Sequence, residues 1–436
     1  MTITITPHQF SGDVIVPASK SHTIRRLLVA TLANGDSCLQ NPLDSFDAAS
    51  CVAVCRGLGA DINTDNPAQW YVHGTGGAEK MRVPEAALDV GNSGTTFFFT
   101  LALSALAKTP FTFTGDSQIA RRSALPLLDA LKSLGVKISC TPQGCIPITV
   151  QGPMKSGRIS LPSPTSQYLS AMLLAAPLAP AGTLIEIDVP LLNEKPYIEM
   201  TLGYLKAQNI IYETNDDFSY FRLNGGASYR PVSGFVPGDF SSAAFPAAAG
   251  VITGGEVILH NLDPSDFQGD KAFFDILSAM GCQVKWEKSY GKDTACPWRV
   301  CVSRQGSFYG GVFDLNATPD MLPVVSVLAA FAEGETRLVN VAHARIKETD
   351  RISCMAQELS KLGVVSKEMP DGLVIQGQGG VKGGDKKPLT LDGHGDHRIV
   401  MALAVAALGA DGPVEITGAE AAGVTYPGFL DLIRAS

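Results

Sequence analysis

The segment HARIKETDRI, residues 343–352, places one histidine, three cations and two carboxylates in ten positions of a chain that is only 17% charged. On a solvated helix face, opposite charges three or four residues apart add only about 0.2–0.5 kcal/mol per pair. A second reading depends on what lies elsewhere. Helix N-termini offer free amide donors and the positive end of a dipole. Six such starts facing one cleft, together with Lys20, Arg25, Arg122, Lys347, Arg351 and Arg398, would make a site for a polyanionic ligand. Taken singly, a Ser, Thr or Asp at a helix start is an ordinary N-cap.

The starts belong to an internal repeat that recurs about every 75 residues. Its first half is a small or polar start followed by an apolar helix, as in KSHTIRRLLVATLANGD, GNSGTTFFFTLALSALAKTP, PTSQYLSAMLLAAPLAPAGT, GDFSSAAFPAAAGVITGGE, PDMLPVVSVLAAFAEGE and GDHRIVMALAVAALGADGP. Its second half is an amphipathic helix that stops at Leu-Gly, Met-Gly or a similar pair and runs into a short strand, as in ALPLLDALKSLGVKI and ETDRISCMAQELSKLGVVSKE. YPGFLDLIRAS reads as a truncated sixth copy. Six units of mixed helix and strand suggest two domains of three. One boundary falls near the Pro- and Gly-rich YRPVSGFVPGD, and a second crossing near Pro17, because the first strand precedes the first helix start.

Composition narrows the function classes. The chain has 436 residues, 45% of them hydrophobic, with 34 basic against 42 acidic side chains and a net charge of −8. It is long enough to bury substantial cores, and without a basic run it offers no nucleic-acid surface. The start, MTITITPHQF, alternates as a strand does and lacks the charged and apolar regions of a signal peptide. FFFTLALSALA and IVMALAVAALGA are too short to span a bilayer and read as buried helices. Nine cysteines without paired spacing suggest neither a disulfide framework nor a zinc site, so a reduced, cytoplasmic protein is expected.

PASKSHTIRR, GNSGT, TSQYLSAMLLAAP, KPYIEMTL, GDFSSA, RIKETDRI and GDHRIVMA occur in the order found in the 5-enolpyruvylshikimate-3-phosphate synthase family, which this chain resembles over nearly its whole length. KETDR with DHR is the specific part of the match. The resemblance implies an α/β fold, a two-domain inside-out α/β barrel of six βαβαββ repeats, three per domain, with the active site between the domains. Residues 18–236 would bind mainly the shikimate-type substrate. Residues 1–17 and 237–436 would carry the acid/base carboxylates and phosphoenolpyruvate contacts. The implied reaction moves the enolpyruvyl group of phosphoenolpyruvate to the 5-hydroxyl of shikimate 3-phosphate and releases phosphate.

By the same resemblance, Glu348 exchanges the proton at the enolpyruvyl methylene, Asp320 takes the hydroxyl proton, and Lys20 contacts both ligands. One site must act as both acid and base, which Glu348 can do if neighbours or burial raise its pKa. Shikimate 3-phosphate would meet Lys20, Ser21, Arg25, Thr165, Ser166, Gln167, Tyr197, Asp320, His343 and Lys347. Phosphoenolpyruvate would meet Lys20, Gly94, Thr95, Arg122, Gln167, Arg351, His397 and Arg398. No metal or organic cofactor is implied. The expected partners are the two small substrates, with no nucleic acid or membrane, and the expected state is a monomer.

Several positions depart from the family pattern. Thr165 replaces a serine but keeps the hydroxyl. Phe98 stands where an arginine is usual, Val424 where a lysine normally closes on phosphoenolpyruvate, and His343 where an asparagine lies near the shikimate ring. Glu194 stands where a serine normally donates to the shikimate phosphate, so an anion there should repel it. Three readings follow: a synthase with relocated contacts, an enolpyruvyl transferase with another acceptor, and a catalytically silent anion-binding relative. The related transferase acting on UDP-N-acetylglucosamine usually has Lys-Asn at the first helix and a loop cysteine near residue 116. This chain has Lys20-Ser21 and Asp116-Ser117 instead.

Overall fold

The computed structural model describes residues 1–82, 84–288 and 296–435. The chain divides into two compact units, Met1–Ala18 with Pro237–Ser436, and Ser19–Val236. Each has its own apolar core. Among the described residues no helix is long and apolar enough to cross a membrane.

Among the described residues, six small sheets share one grammar: a parallel pair of strands, extended on one side by antiparallel neighbours. The parallel pair is what a strand–helix–strand crossover produces, and the antiparallel neighbours are what a hairpin adds. In the Ser19–Val236 unit, Leu88–Asp89 pairs in parallel with Phe111–Thr114 around the helix Gly94–Ser104. Gly157–Ser160 pairs in the same way with Leu184–Asp188 around Ser166–Ala175. The other unit repeats this with Val312–Asp314 and Glu333–Val339 around Leu322–Phe331.

At the two chain crossings the leading strands are exchanged. Gly12–Ile15, which precedes the helix Lys20–Leu32, pairs with Val257–His260. Ser233–Phe235, which precedes the helix Phe240–Thr253, pairs with Asp36–Gln40. The sixth copy is also more complete than its sequence suggests. The N-terminal strand Thr2–Ile5 pairs antiparallel with Val414–Thr417, which in turn pairs in parallel with Leu389–Asp392.

The two helix types bury different fractions of their surface. All eleven residues of Gly94–Ser104 are buried, as are all twelve of His397–Leu408, matching their apolar composition on every face. Burial of Phe97, Phe98 and Phe99 stabilises the first of these by about 1.5–3 kcal/mol per ring. Its N-cap, Ser93, adds only about 1 kcal/mol, so packing holds this helix in place. The amphipathic Arg351–Lys361 buries Arg351, Ile352, Met355, Glu358 and Leu359, one face of the helix. Gly363, just past its end, has φ 78°, the left-handed conformation that ends helices and that glycine adopts without strain. In the third copy Asn209, at φ 58°, takes that place.

Candidate functional site

Within Ser19–Val236 the candidate residues gather at the starts of three buried helices. Ser19 caps Lys20–Leu32 by accepting from His22 N, which leaves Lys20 in the first turn. Lys20 Nζ lies 3.0 Å from Oδ2 of the buried Asp47. One turn on, Arg25 is buried, with Nε donating to Thr201 Oγ1 (3.1 Å), Nη1 to Ser21 O (3.3 Å) and Nη2 to Tyr197 O (3.3 Å). Its guanidinium carbon stands 5.0 Å from the centre of the Phe99 ring. Burial lowers its pKa to about 10, against the pull of Tyr204 and Tyr197, so it stays cationic at neutral pH. Ser21, Arg25 and Tyr197 are therefore one cluster.

A second cluster forms at the start of Gly94–Ser104. A Cβ on Gly94 would stand 2.5 Å from Arg122 Nη1 and 3.6 Å from Gln167 Oε1. Gln167 Nε2 donates to Thr95 Oγ1 at 3.0 Å. Gly94, Thr95, Arg122 and Gln167 thus converge, and only glycine leaves the guanidinium its place. Phe98, where the family usually has an arginine, is a core residue. Its ring packs edge-on against Tyr168 at 5.0 Å and it is buried with Phe97.

The third cluster sits at the start of Ser166–Ala175. Thr165 is the N-cap, accepting from Gln167 N. Glu194 is buried beside it. Its Oε2 accepts from Ser166 N at 2.9 Å, from Ser166 Oγ at 2.6 Å and from Thr165 Oγ1 at 3.3 Å.

The other unit centres on Arg351, 1% exposed at its side chain. Four hydrogen bonds engage four of its five N–H groups. Nη1 donates to Asp320 Oδ1 (2.7 Å), Nη2 to Glu348 Oε2 (2.7 Å) and Asp396 Oδ1 (3.2 Å), and Nε to Asp396 Oδ2 (2.8 Å). Asp396 is itself the N-cap of His397–Leu408, accepting from Arg398 N at 2.8 Å, and it also accepts from Thr349 Oγ1. Arg398 Nη2 stands 3.5 Å from Asp320 Oδ2, while its Nε and Nη1 are buried without a hydrogen-bond partner. His397 Nδ1 lies 3.9 Å from Asp396 Oδ1, and His343 Nε2 lies 3.1 Å from Asn316 O. Val424 ends the short helix Ala419–Val424.

Charge compensation sets the ionisation of this cluster. Burial pushes the Asp320 carboxyl up, but Arg351, Arg398 and Lys347 outweigh it and hold the group well below the usual carboxylate range. Burial likewise works against the cationic form of Arg351, and Asp396, Glu348 and Asp320 more than reverse it. Arg398 is raised too, by Asp320, Asp239 and Asp270 against burial. A carboxylate held so firmly in its charged form is a weak base, and a guanidinium with four bonds made has little left for a ligand. Arg398 differs, with two buried guanidinium nitrogens, Nε and Nη1, that make no hydrogen bond.

Two members of the clusters fall outside the sequence-derived set. Asp396 has a local signal, an Asp ahead of an apolar helix, but nothing in the spacing links it to Arg351. Asp47 has an N-terminal helix position and no more.

The family model for EPSP synthase (3-phosphoshikimate 1-carboxyvinyltransferase) matches residues 5–433. A 3-phosphoshikimate 1-carboxyvinyltransferase of Acetivibrio thermocellus is 45% identical over 434 residues, covering 99% of this chain and 97% of that protein. One from Ruminiclostridium cellulolyticum is 43% identical, covering 100% and 98%. The solved structure of EPSP synthase from Acinetobacter baumannii superposes with a TM-score of 0.80 at 26% identity, covering 99% of this chain and 97% of that one.

Proposed function

Because this chain belongs to the EPSP synthase family, we propose that it transfers the enolpyruvyl group of phosphoenolpyruvate to the 5-hydroxyl of shikimate 3-phosphate and releases phosphate. Of the three readings the sequence leaves open, the full-length relatives support the first. The observation that carries it within the molecule is the enclosure of Arg351 by Asp320, Glu348 and Asp396, with Arg398 alongside.

The reaction adds a proton to the methylene carbon of phosphoenolpyruvate, and the acceptor hydroxyl attacks the adjacent carbon. Loss of phosphate from the tetrahedral intermediate accompanies loss of a proton from its methyl group, which restores the methylene. Glu348 gives and removes the methylene proton, and Asp320 takes the hydroxyl proton. The carboxylate and phosphate of phosphoenolpyruvate compete with these side chains for the donors of Arg351 and Arg398. As the cations turn to the ligand, Asp320 loses the charges that hold it ionised and regains basicity. Arg122, Gly94, Thr95 and Gln167 are the phosphoenolpyruvate contacts of this reading, and Lys20 contacts both ligands. Ser21, Arg25, Tyr197, Thr165, Ser166, Lys347 and His343 are its shikimate-substrate contacts.

The direct test is phosphate release from phosphoenolpyruvate with and without shikimate 3-phosphate. Release that requires the acceptor is expected; none with both substrates present would overturn the assignment. Gly94→Ala tests the second cluster. The added Cβ meets the mobile end of Arg122 and not backbone, so the fold should tolerate it while the guanidinium is pushed aside. The KM for phosphoenolpyruvate should rise about ten-fold, the loss of one charge-assisted contact. An unchanged KM would remove Arg122 from that role.

A further inference from the structure

The start of Ser166–Ala175 offers a backbone amide, two hydroxyls and the positive end of a buried helix, the donor set of an anion seat. In this chain the seat is filled from within, by the carboxylate of Glu194, only 2% exposed. Its backbone shows how it is held there. Glu194 is the residue ahead of the helix Lys195–Ala207, yet its side chain does not cap that helix. It sits at φ 59° and ψ 43°, a left-handed conformation that strains a non-glycine residue. Asn193 N bonds Ser163 O at 3.2 Å and Asn193 Nδ2 bonds Pro164 O at 3.1 Å, which ties the strained stretch to the segment leading into the seat. The backbone is bent so that one helix's flanking residue serves another helix.

We propose that Glu194 is a resident anion in the seat of the acceptor's phosphate, and that it determines specificity because any acceptor must displace it to bind. This rests on the function proposed above and adds a threshold to it. A phosphate dianion carries more charge and three acceptor oxygens, so it can replace a carboxylate on the Ser166 amide and the two hydroxyls. An acceptor without that group leaves Glu194 where it is.

Two variants test this: Glu194→Gln, which keeps shape and removes charge, and Glu194→Gly, which removes the side chain and suits the left-handed backbone. The KM for shikimate 3-phosphate should fall about ten-fold in both, with the larger gain at low ionic strength. The KM for phosphoenolpyruvate serves as the reference and should change less than two-fold, and activity with unphosphorylated shikimate should not improve. Thermal unfolding reports that each variant is folded. If wild type turns over and neither folded variant binds shikimate 3-phosphate more tightly, Glu194 is no threshold and this proposal fails alone. If wild type releases no phosphate with shikimate 3-phosphate, the assignment of function fails first.

Discussion

Glu348→Gln should lower turnover by about 10²–10⁴-fold, the usual worth of a positioned acid/base group, while substrate binding changes only a few-fold. The amide keeps the length of the side chain, and its carbonyl oxygen can still accept from Arg351 Nη2, now 2.7 Å from Glu348 Oε2. It cannot give and take a proton at the methylene carbon. Steady-state phosphate release measures the loss, and incorporation of solvent deuterium into the methylene group measures its cause. Both should vanish together. Near-normal turnover, or deuterium exchange that persists while turnover falls, would take Glu348 out of the proton transfer.

The sequence reading reaches the repeat because its two helix types carry different patterns. Apolar helices such as His397–Leu408 are buried all round, and amphipathic ones such as Arg351–Lys361 present one face. It also reaches caps such as Ser93 and Thr165, which lie in the polar helix starts GNSGT and PTSQ. It does not reach the partners. Glu194 meets Ser166 from 28 positions away and Asp396 meets Arg351 from 45, and such pairings are fixed by strand register and crossover geometry rather than by local pattern. The exchange of leading strands at the chain crossings is hidden for the same reason. An inventory of cations therefore suggests an open anion site. The folded units show internal carboxylates at the seats instead: Asp47 on Lys20, Glu194 on Ser166, and three carboxylates on Arg351. At these three seats an incoming anion would meet one already present, so binding there is expected to proceed by exchange.

Asp396→Asn should be among the most destabilising single changes in its unit. The carboxylate is fully buried, takes Arg351 in a two-pronged contact, accepts from Thr349 and caps His397–Leu408 through Arg398 N. Asparagine can keep the cap and one contact, but it leaves a buried guanidinium short of a charge, which costs about 3–5 kcal/mol. For a unit of this size, at about 2–4 °C per kcal/mol, its thermal transition should drop by about 10 °C. Asp350→Asn is the matched control. Asp350 also caps a helix and also pairs with an arginine, Arg345, but its side chain is 39% exposed, so the loss should be about 1 kcal/mol. The same cluster sets the direction of the pH response. Arg351, Arg398 and Lys347 hold Asp320 below its unfolded value, so its contribution is complete above about pH 4 and is lost as pH falls further. Calorimetry of the three proteins between neutral and acid pH should show the wild-type transition falling below about pH 4, and the gap between the Asp396 and Asp350 variants at neutral pH. If Asp350→Asn costs as much as Asp396→Asn, helix capping and not the buried charge balance holds this cluster, and Arg351 would be free to meet a ligand without displacing anything.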